Sequence, residues 1–225
     1  LDWSKSIVGR EGKFFAYLHL MGPHVPYAAP AGYRKKLGLE NIPRLNPPDY
    51  RGIFSFTELP ALSARELEEL KGNYDAALMY GQEVVGRLVR GLEELGIRQD
   101  TLVILTADHG EEFFEHGGWY HGDSLFEEMI RVPLIMAWPG QFPPGLRIDE
   151  PVSQVDIMPM VLGLLRREQP ARSGVRDLVA RARESGGLGA DTIDSEVVYR
   201  NRGGRALREG RYKLIHGYHD DGNEV

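Results

Sequence analysis

The sequence predicts an α/β fold built on a mixed, mostly parallel sheet flanked by helices. Short apolar runs of strand type at 14–20, 101–106 and 132–138 are separated by helix-length stretches. The second of them directly follows a long, capped helical pattern, as in a strand–helix–strand unit. A chain of 225 residues, 42% of them hydrophobic, can also bury one sizeable core.

Taken in order, Phe14-Phe15-Ala16-Tyr17-Leu18-His19-Leu20 is bounded by Gly12 and Gly22-Pro23, which predicts a buried strand. His19, inside it, is expected to be packed. Residues 22–60 hold seven of the 14 prolines, a composition that predicts a long ordered excursion without helix or central strand. Ser63 followed by Glu66 has capping-box spacing. Leu67, Leu70, Tyr74, Leu78, Val85, Leu88, Leu92 and Leu95 then recur at helical steps, and Gly96 closes the helix.

Thr101–Thr106 is an apolar β run of the kind found inside parallel sheets. Val132–Trp138 predicts another strand, ended by Pro139-Gly140. Residues 153–167 predict a helix starting near Ser153 or Asp156, with Ile157, Val161, Leu164 and Leu165 on its apolar face. A charged amphipathic helix is expected over 172–184, then a flexible stretch at 185–189. Glu196–Arg200 and Arg211–Tyr218 are expected to pair as two late strands.

Composition excludes several functions. With 27 Lys+Arg against 33 Asp+Glu the net charge is −6, and no basic cluster follows any segment, so no nucleic-acid partner is expected. The absence of cysteine removes disulfides, thiolate metal sites and a cysteine nucleophile from these residues. No run of 18 apolar residues exists, so no membrane span is predicted. The opening Leu1-Asp2-Trp3 is neither an initiator methionine nor a leader and reads as a cut end, which leaves the compartment open.

The chemistry concentrates at two places. Thr106-Ala107-Asp108-His109-Gly110-Glu111 follows a predicted strand, where α/β sheets bind their ligands. A carboxylate beside an imidazole suits a hard or borderline divalent cation, with Gly110 giving the freedom to turn. Alone, the same triplet would read as a helix cap beside a solvated histidine. However, Glu115-His116-Gly117-Gly118-Trp119-Tyr120-His121-Gly122 follows at once, placing three of the seven histidines between 109 and 121. Such imidazoles can ligate metal, bind an anion or shuttle protons. For His116 a binding role and a structural turn stay equally open; for His121 the functional role is favoured. The second place is Met21-Gly22-Pro23-His24-Val25-Pro26-Tyr27, where two prolines stiffen the backbone around His24.

These segments, taken together, resemble the sulfatase family of the alkaline-phosphatase superfamily. The resemblance rests on Pro23-His24-Val25-Pro26-Tyr27, on Thr106–Glu111, on Glu115–Gly122, on Leu125-Phe126-Glu127-Glu128 with Arg131–Ile135, on Val155–Pro159 and on Arg208–Leu214. It runs from about Phe14 to Ile215, with the elements in the family's order. It implies a partial alkaline-phosphatase-like domain over 1–170, with 171–225 a small β-containing appendage packed on it.

Residue by residue, the resemblance implies that Asp108 and His109 ligate a divalent metal, foremost Ca²⁺, with Mg²⁺, Mn²⁺ or Zn²⁺ as alternatives. His24 and His121 would be catalytic, and His24, His116 and His121 would contact the substrate, a small-molecule or glycan sulfate ester. Gln82 stands where many members have Asp, a difference expected to affect packing only. The family's formylglycine motif, Cys or Ser in Cys/Ser-x-Pro-x-Arg, is absent, as are its upstream aspartates; Asp220-Asp221 reads as a turn. The sequence is therefore expected to be a fragment, inactive alone, of a sulfuric ester hydrolase. Phosphodiesterases, phosphonate-ester hydrolases and phosphoethanolamine transferases of the superfamily share Asp-His-Gly and form the alternative. A non-catalytic scaffold is the other, against which the retained histidines argue.

Overall fold

The computed structural model describes residues 12–39, 62–122, 124–149, 151–165, 192–199 and 202–219. The chain groups into two compact units that alternate along the sequence. One comprises Leu1–Ala107, Glu111–Tyr120 and Pro133–Phe142; the other comprises Asp108–Gly110, His121–Val132 and Pro143–Val225.

The first unit is organised by a 31-residue helix. Helix α1 spans Ala31–Lys36 and α2 spans Ala64–Glu94. The capping box at the start of α2 is complete: Glu66 N–H donates to Ser63 Oγ, and Ser63 N–H donates to Glu66 Oε2 at 2.8 Å. The helix ends as the sequence predicts. Gly96, at φ +70°, donates to Glu93 O and Ile97 donates to Leu92 O, the paired bonds of a Schellman motif. Residues Leu70, Asn73, Ala76 and Ala77 form the buried stripe of α2. Val25, Tyr27, Leu70 and Phe113 make the core, with Leu67 and Tyr74 packed against it. Gln82 is exposed, so the departure there carries little packing.

Four short strands complete this unit: β1 (Val103–Thr106), β2 (Glu112–Phe113), β3 (Trp119–Tyr120) and β4 (Leu134–Ala137). β1 pairs β4 antiparallel, Thr106 opposite Leu134, and β2 pairs β3 antiparallel. The α/β class holds, although every ladder among the described residues is antiparallel. Runs of buried strand type do not by themselves fix the direction of a neighbour.

Two expectations fail here. Residues 14–20 form no strand; Phe15 and Tyr17 are 85% and 77% exposed. A strand needs a partner's backbone, which an apolar run cannot specify. His19 is accordingly exposed, edge-on to Tyr17, rather than packed. The proline-rich stretch does contain a helix, α1. Its six residues hold no proline, Pro30 precedes its first turn without harm, and it docks on α2 through Arg34 Nε to Asn73 Oδ1 (3.0 Å).

The second unit holds α3 (Glu127–Ile130), α4 (Ile157–Leu164) after a 3₁₀ turn at Gln154–Asp156, and a three-stranded antiparallel sheet. Its strands, β5 (Thr192–Tyr199), β6 (Arg202–Glu209) and β7 (Tyr212–His219), lie in the order β5-β6-β7. The two late strands therefore exist but do not pair with each other; β6 lies between them. Gly203-Gly204 and three arginines disguised β6 as a loop. In α4 the buried residues are Pro159 and Met160, rather than the expected Ile157 and Val161. Among the described residues no helix is long and apolar enough to cross a membrane. The helix expected at 172–184, the stretch at 185–189 and the Asp220-Asp221 turn lie outside the described residues.

Candidate functional site

Directly beyond β1, three of the residues singled out by sequence come together within the second unit. Asp108 is exposed, and its Oδ2 lies 3.8 Å from His109 Nε2. Asp108 Oδ1 also accepts from the His109 backbone N–H at 3.1 Å, which ties the carboxylate to the loop. His109 Nδ1 is 2.8 Å from the Gly110 carbonyl oxygen. A carbonyl can only accept, so Nδ1 carries the hydrogen, and in the neutral form of the ring the lone pair is at Nε2, on the Asp108 side. The ring of His121 stacks on His109, with centroids 4.1 Å apart and planes 24° from parallel.

Gly110 is needed here for a reason other than the expected one. Its φ is not positive; the constraint is contact. Its N–H donates to Met129 O at 2.7 Å, and a Cβ at this position would lie 1.9 Å from Glu128 O. Only glycine lets the loop press against the backbone of α3, and that contact fixes where Asp108 and His109 sit.

These donors fit a divalent cation. One carboxylate oxygen and one imidazole lone pair, 3.8 Å apart, can share an ion whose bonds are about 2.3–2.6 Å long. Anchoring the second ring nitrogen on a carbonyl is also how metal-binding histidines are held.

His24 and His116 belong to the first unit. His24 closes a turn: Tyr27 N–H donates to His24 O (3.1 Å), His24 N–H donates to Met21 O (3.2 Å), and the Val25–Pro26 bond is cis. His24 Nδ1 lies 2.7 Å from Val25 O, so here too Nδ1 carries the hydrogen. The turn is anchored from below. Tyr27 is buried and packs with Tyr74 and Phe113 at centroid distances of 5.5 and 6.1 Å. Burial, reinforced by the Glu111 carboxylate, pushes the Tyr27 phenol pKa up, so it stays protonated.

His116 is exposed at the tip of the β2–β3 hairpin. What holds this tip escaped the sequence reading. Buried Glu112 accepts from the backbone N–H groups of His116 (3.0 Å) and Gly118 (2.8 Å) through one oxygen. The sequence cue was only an acidic residue a few positions before a glycine-rich turn, which is common on surfaces.

The comparisons with known proteins bear on the same segments. A model of the Sulfatase family matches residues 3–166. The chain belongs to the sulfatase family. An ulvan-active sulfatase of Formosa agariphila is 30% identical to this sulfatase chain over 154 residues, covering 67% of the chain and 28% of that protein. A structure solved in complex with its substrate, D-glucosamine-2-N,6-O-disulfate, superposes with a TM-score of 0.63 at 25% identity, covering 71% of the chain and 34% of its counterpart. The phosphonate monoester hydrolase of Agrobacterium radiobacter covers all of the chain and 52% of its own, with a TM-score of 0.73 at 17% identity. The last likeness shows the fold, and the expected alkaline-phosphatase-like architecture is borne out. The sulfatase chain spans less than half the length of the curated relatives it matches.

Proposed function

We propose that this chain supplies the metal-binding and leaving-group residues of a sulfuric ester hydrolase. The observation that carries the reading is the Asp108–His109 donor pair with its fixed tautomer and the imidazole of His121 stacked upon it. Asp108 Oδ2 and His109 Nε2 would hold the divalent cation, with Ca²⁺ put first by the resemblance to the family and further oxygen ligands required from elsewhere. When bound, such an ion offers positive charge to the ester oxygens as negative charge develops.

The chain's own residues then have distinct tasks. His24 has its Nδ1–H occupied by Val25 O, so it accepts or releases a proton only at Nε2. That confines it to hydrogen-bonding the sulfuryl oxygens or protonating the departing alcohol. His121 shares the leaving-group task, and His116 contacts the substrate from its hairpin tip. The nucleophile, a formylglycine in this proposal, comes from residues other than these 225. A sulfated glycan or small sulfate ester is the substrate class, supported by the similarity to an ulvan-active sulfatase and to a structure holding a disulfated glucosamine.

The test is hydrolysis of an aryl sulfate and an aryl phosphonate monoester by the complete protein, with and without Asp108→Ala. Loss of a Lewis acid worth several kcal/mol predicts a fall of about a thousandfold or more in kcat/KM for the sulfate. A marked preference for the phosphonate would move the protein to the neighbouring class. Full activity in Asp108→Ala would end the reading.

A further inference from the structure

Beyond the residues that would touch metal or substrate, the second unit contains a charge arrangement whose geometry leads back to the ligand loop. Arg208 of β6 and Lys213 of β7 are directly opposite each other in the ladder. Two like charges so placed oppose strand pairing. They are focused instead on one carboxylate from a segment 86 positions away: Lys213 Nζ donates to Glu127 Oε1 at 3.0 Å, and Arg208 lies 3.6 Å from Glu127 Oε2. The Lys213 side chain is only 15% exposed, so this pair is largely withdrawn from solvent on one side. Leu125, two residues before Glu127, lies beside the sheet at Gly204, where an added Cβ would be 3.5 Å from Leu125 Cδ1.

Glu127 opens α3, and α3 is the surface against which Gly110 is pressed. Gly110 N–H donates to Met129 O, and Glu128 O leaves no room for a Cβ at position 110. The carbonyl of Gly110 in turn accepts the Nδ1–H of His109 and selects its tautomer. Each link in this series is a direct contact inside one compact unit, from the β6–β7 hairpin through Glu127 and α3 to His109.

We infer that Glu127, clamped by Arg208 and Lys213, is a positioning residue that sets the place and tautomer of the metal-ligating His109. The inference rests on the reading of Asp108 and His109 as metal ligands. It adds that the C-terminal hairpin is part of the metal site's support. Outer residues of this kind typically change metal affinity by about ten- to a hundredfold when removed.

The experiment uses the chain labelled with ¹⁵N-histidine, titrated with Zn²⁺ alone as an imidazole-preferring probe, in wild type, Glu127→Gln and Glu127→Asp. Glu127→Gln keeps the shape of the side chain and removes its charge. The expected result is an Nδ1–H tautomer for His109 in wild type, eroded in Glu127→Gln, together with a dissociation constant at His109 raised about tenfold. Glu127→Asp should recover most of both. A Glu127→Gln variant with a lower melting temperature but unchanged His109 tautomer and Zn²⁺ affinity would overturn the inference, because a purely structural brace behaves that way. If wild-type His109 ignores Zn²⁺, the metal reading fails instead. The tautomer comparison still decides the positioning role.

Discussion

The imidazoles of His109 and His121 lie face to face, 4.1 Å apart, although eleven residues of a glycine-rich hairpin separate them. The stack couples the proposed metal ligand to a proposed proton donor, and the two roles can be separated by substitution. His121→Phe keeps an aromatic face against His109 and removes the proton. In the complete protein we expect kcat to fall by about 10²–10⁴, the usual worth of general acid catalysis, with metal affinity unchanged. His121→Ala should lose affinity as well. Equal metal affinity in both variants would show that the stack supports nothing.

Gly110→Ala should be among the most damaging single substitutions in the second unit. The added carbon would lie 1.9 Å from the Glu128 carbonyl oxygen, and both partners are backbone, so neither can swing aside. Overpacking of this type costs about 1–3 kcal/mol or more. Thermal denaturation should show the loss, and histidine NMR should show His109 displaced. A melting temperature matching wild type would mean that the loop has slack the contact denies.

Stability should respond to acid through Glu127. Burial raises its pKa, but the hydrogen bond and charge of Lys213, with Arg208 and Arg131, outweigh it and leave the folded value below the ordinary 4.5. A carboxylate depressed on folding stabilises above its unfolded pKa and loses that contribution as pH falls through the folded value. The side chain is 45% exposed, so solvent screening holds the effect to under about 1 kcal/mol. Melting curves of wild type and Glu127→Gln should differ at neutral pH and converge as the pH is lowered through the depressed folded value. A gap that stays constant over that range would show that the charge is not what matters.

Alone, the 225-residue chain should not turn over an aryl sulfate, and it should hold Ca²⁺ more weakly than micromolar. It lacks a cysteine or a Ser-x-Pro-x-Arg motif, and Asp108 and His109 offer two ligands where Ca²⁺ takes about 6–8. Turnover assays and titration calorimetry decide both points. Turnover abolished by Asp108→Ala would reveal a nucleophile within these residues. Tight Ca²⁺ binding lost in the same variant would reveal a metal site that needs no further ligands.

What the sequence disclosed divides along the range of the interactions involved. The caps of α2 are set by Ser63, Glu66 and Gly96 acting within one turn, and all three read correctly. Asp108, His109 and His121 lie together in the second unit, and their grouping was legible because their clustering is local in sequence. The run Phe14–Leu20 misled, since apolar side chains do not say whether a partner strand pairs with their backbone. β6 was hidden because its place between two neighbours outweighs the weak strand propensity of Gly203 and Gly204. Glu112 and Glu127 escaped for a related reason: their significance lies in what they hold, and the partners of Glu127 lie near the other end of the chain.

Tight turns between strands are usually where a protein best tolerates an added or lost residue, but the one at Gly210-Arg211 has no such latitude. It joins Glu209 directly to its ladder partner Tyr212, and the next pair is Arg208 with Lys213. Side chains alternate between the two faces of a sheet, so slipping one strand by a single position turns its whole face around. One residue inserted here would carry Lys213 to the side away from Glu127 while leaving the strands hydrogen-bonded. The length of this turn therefore works as a gauge. Diversity at its tip should take the form of substitution at constant length, with Gly210 itself restricted by its φ of +55°.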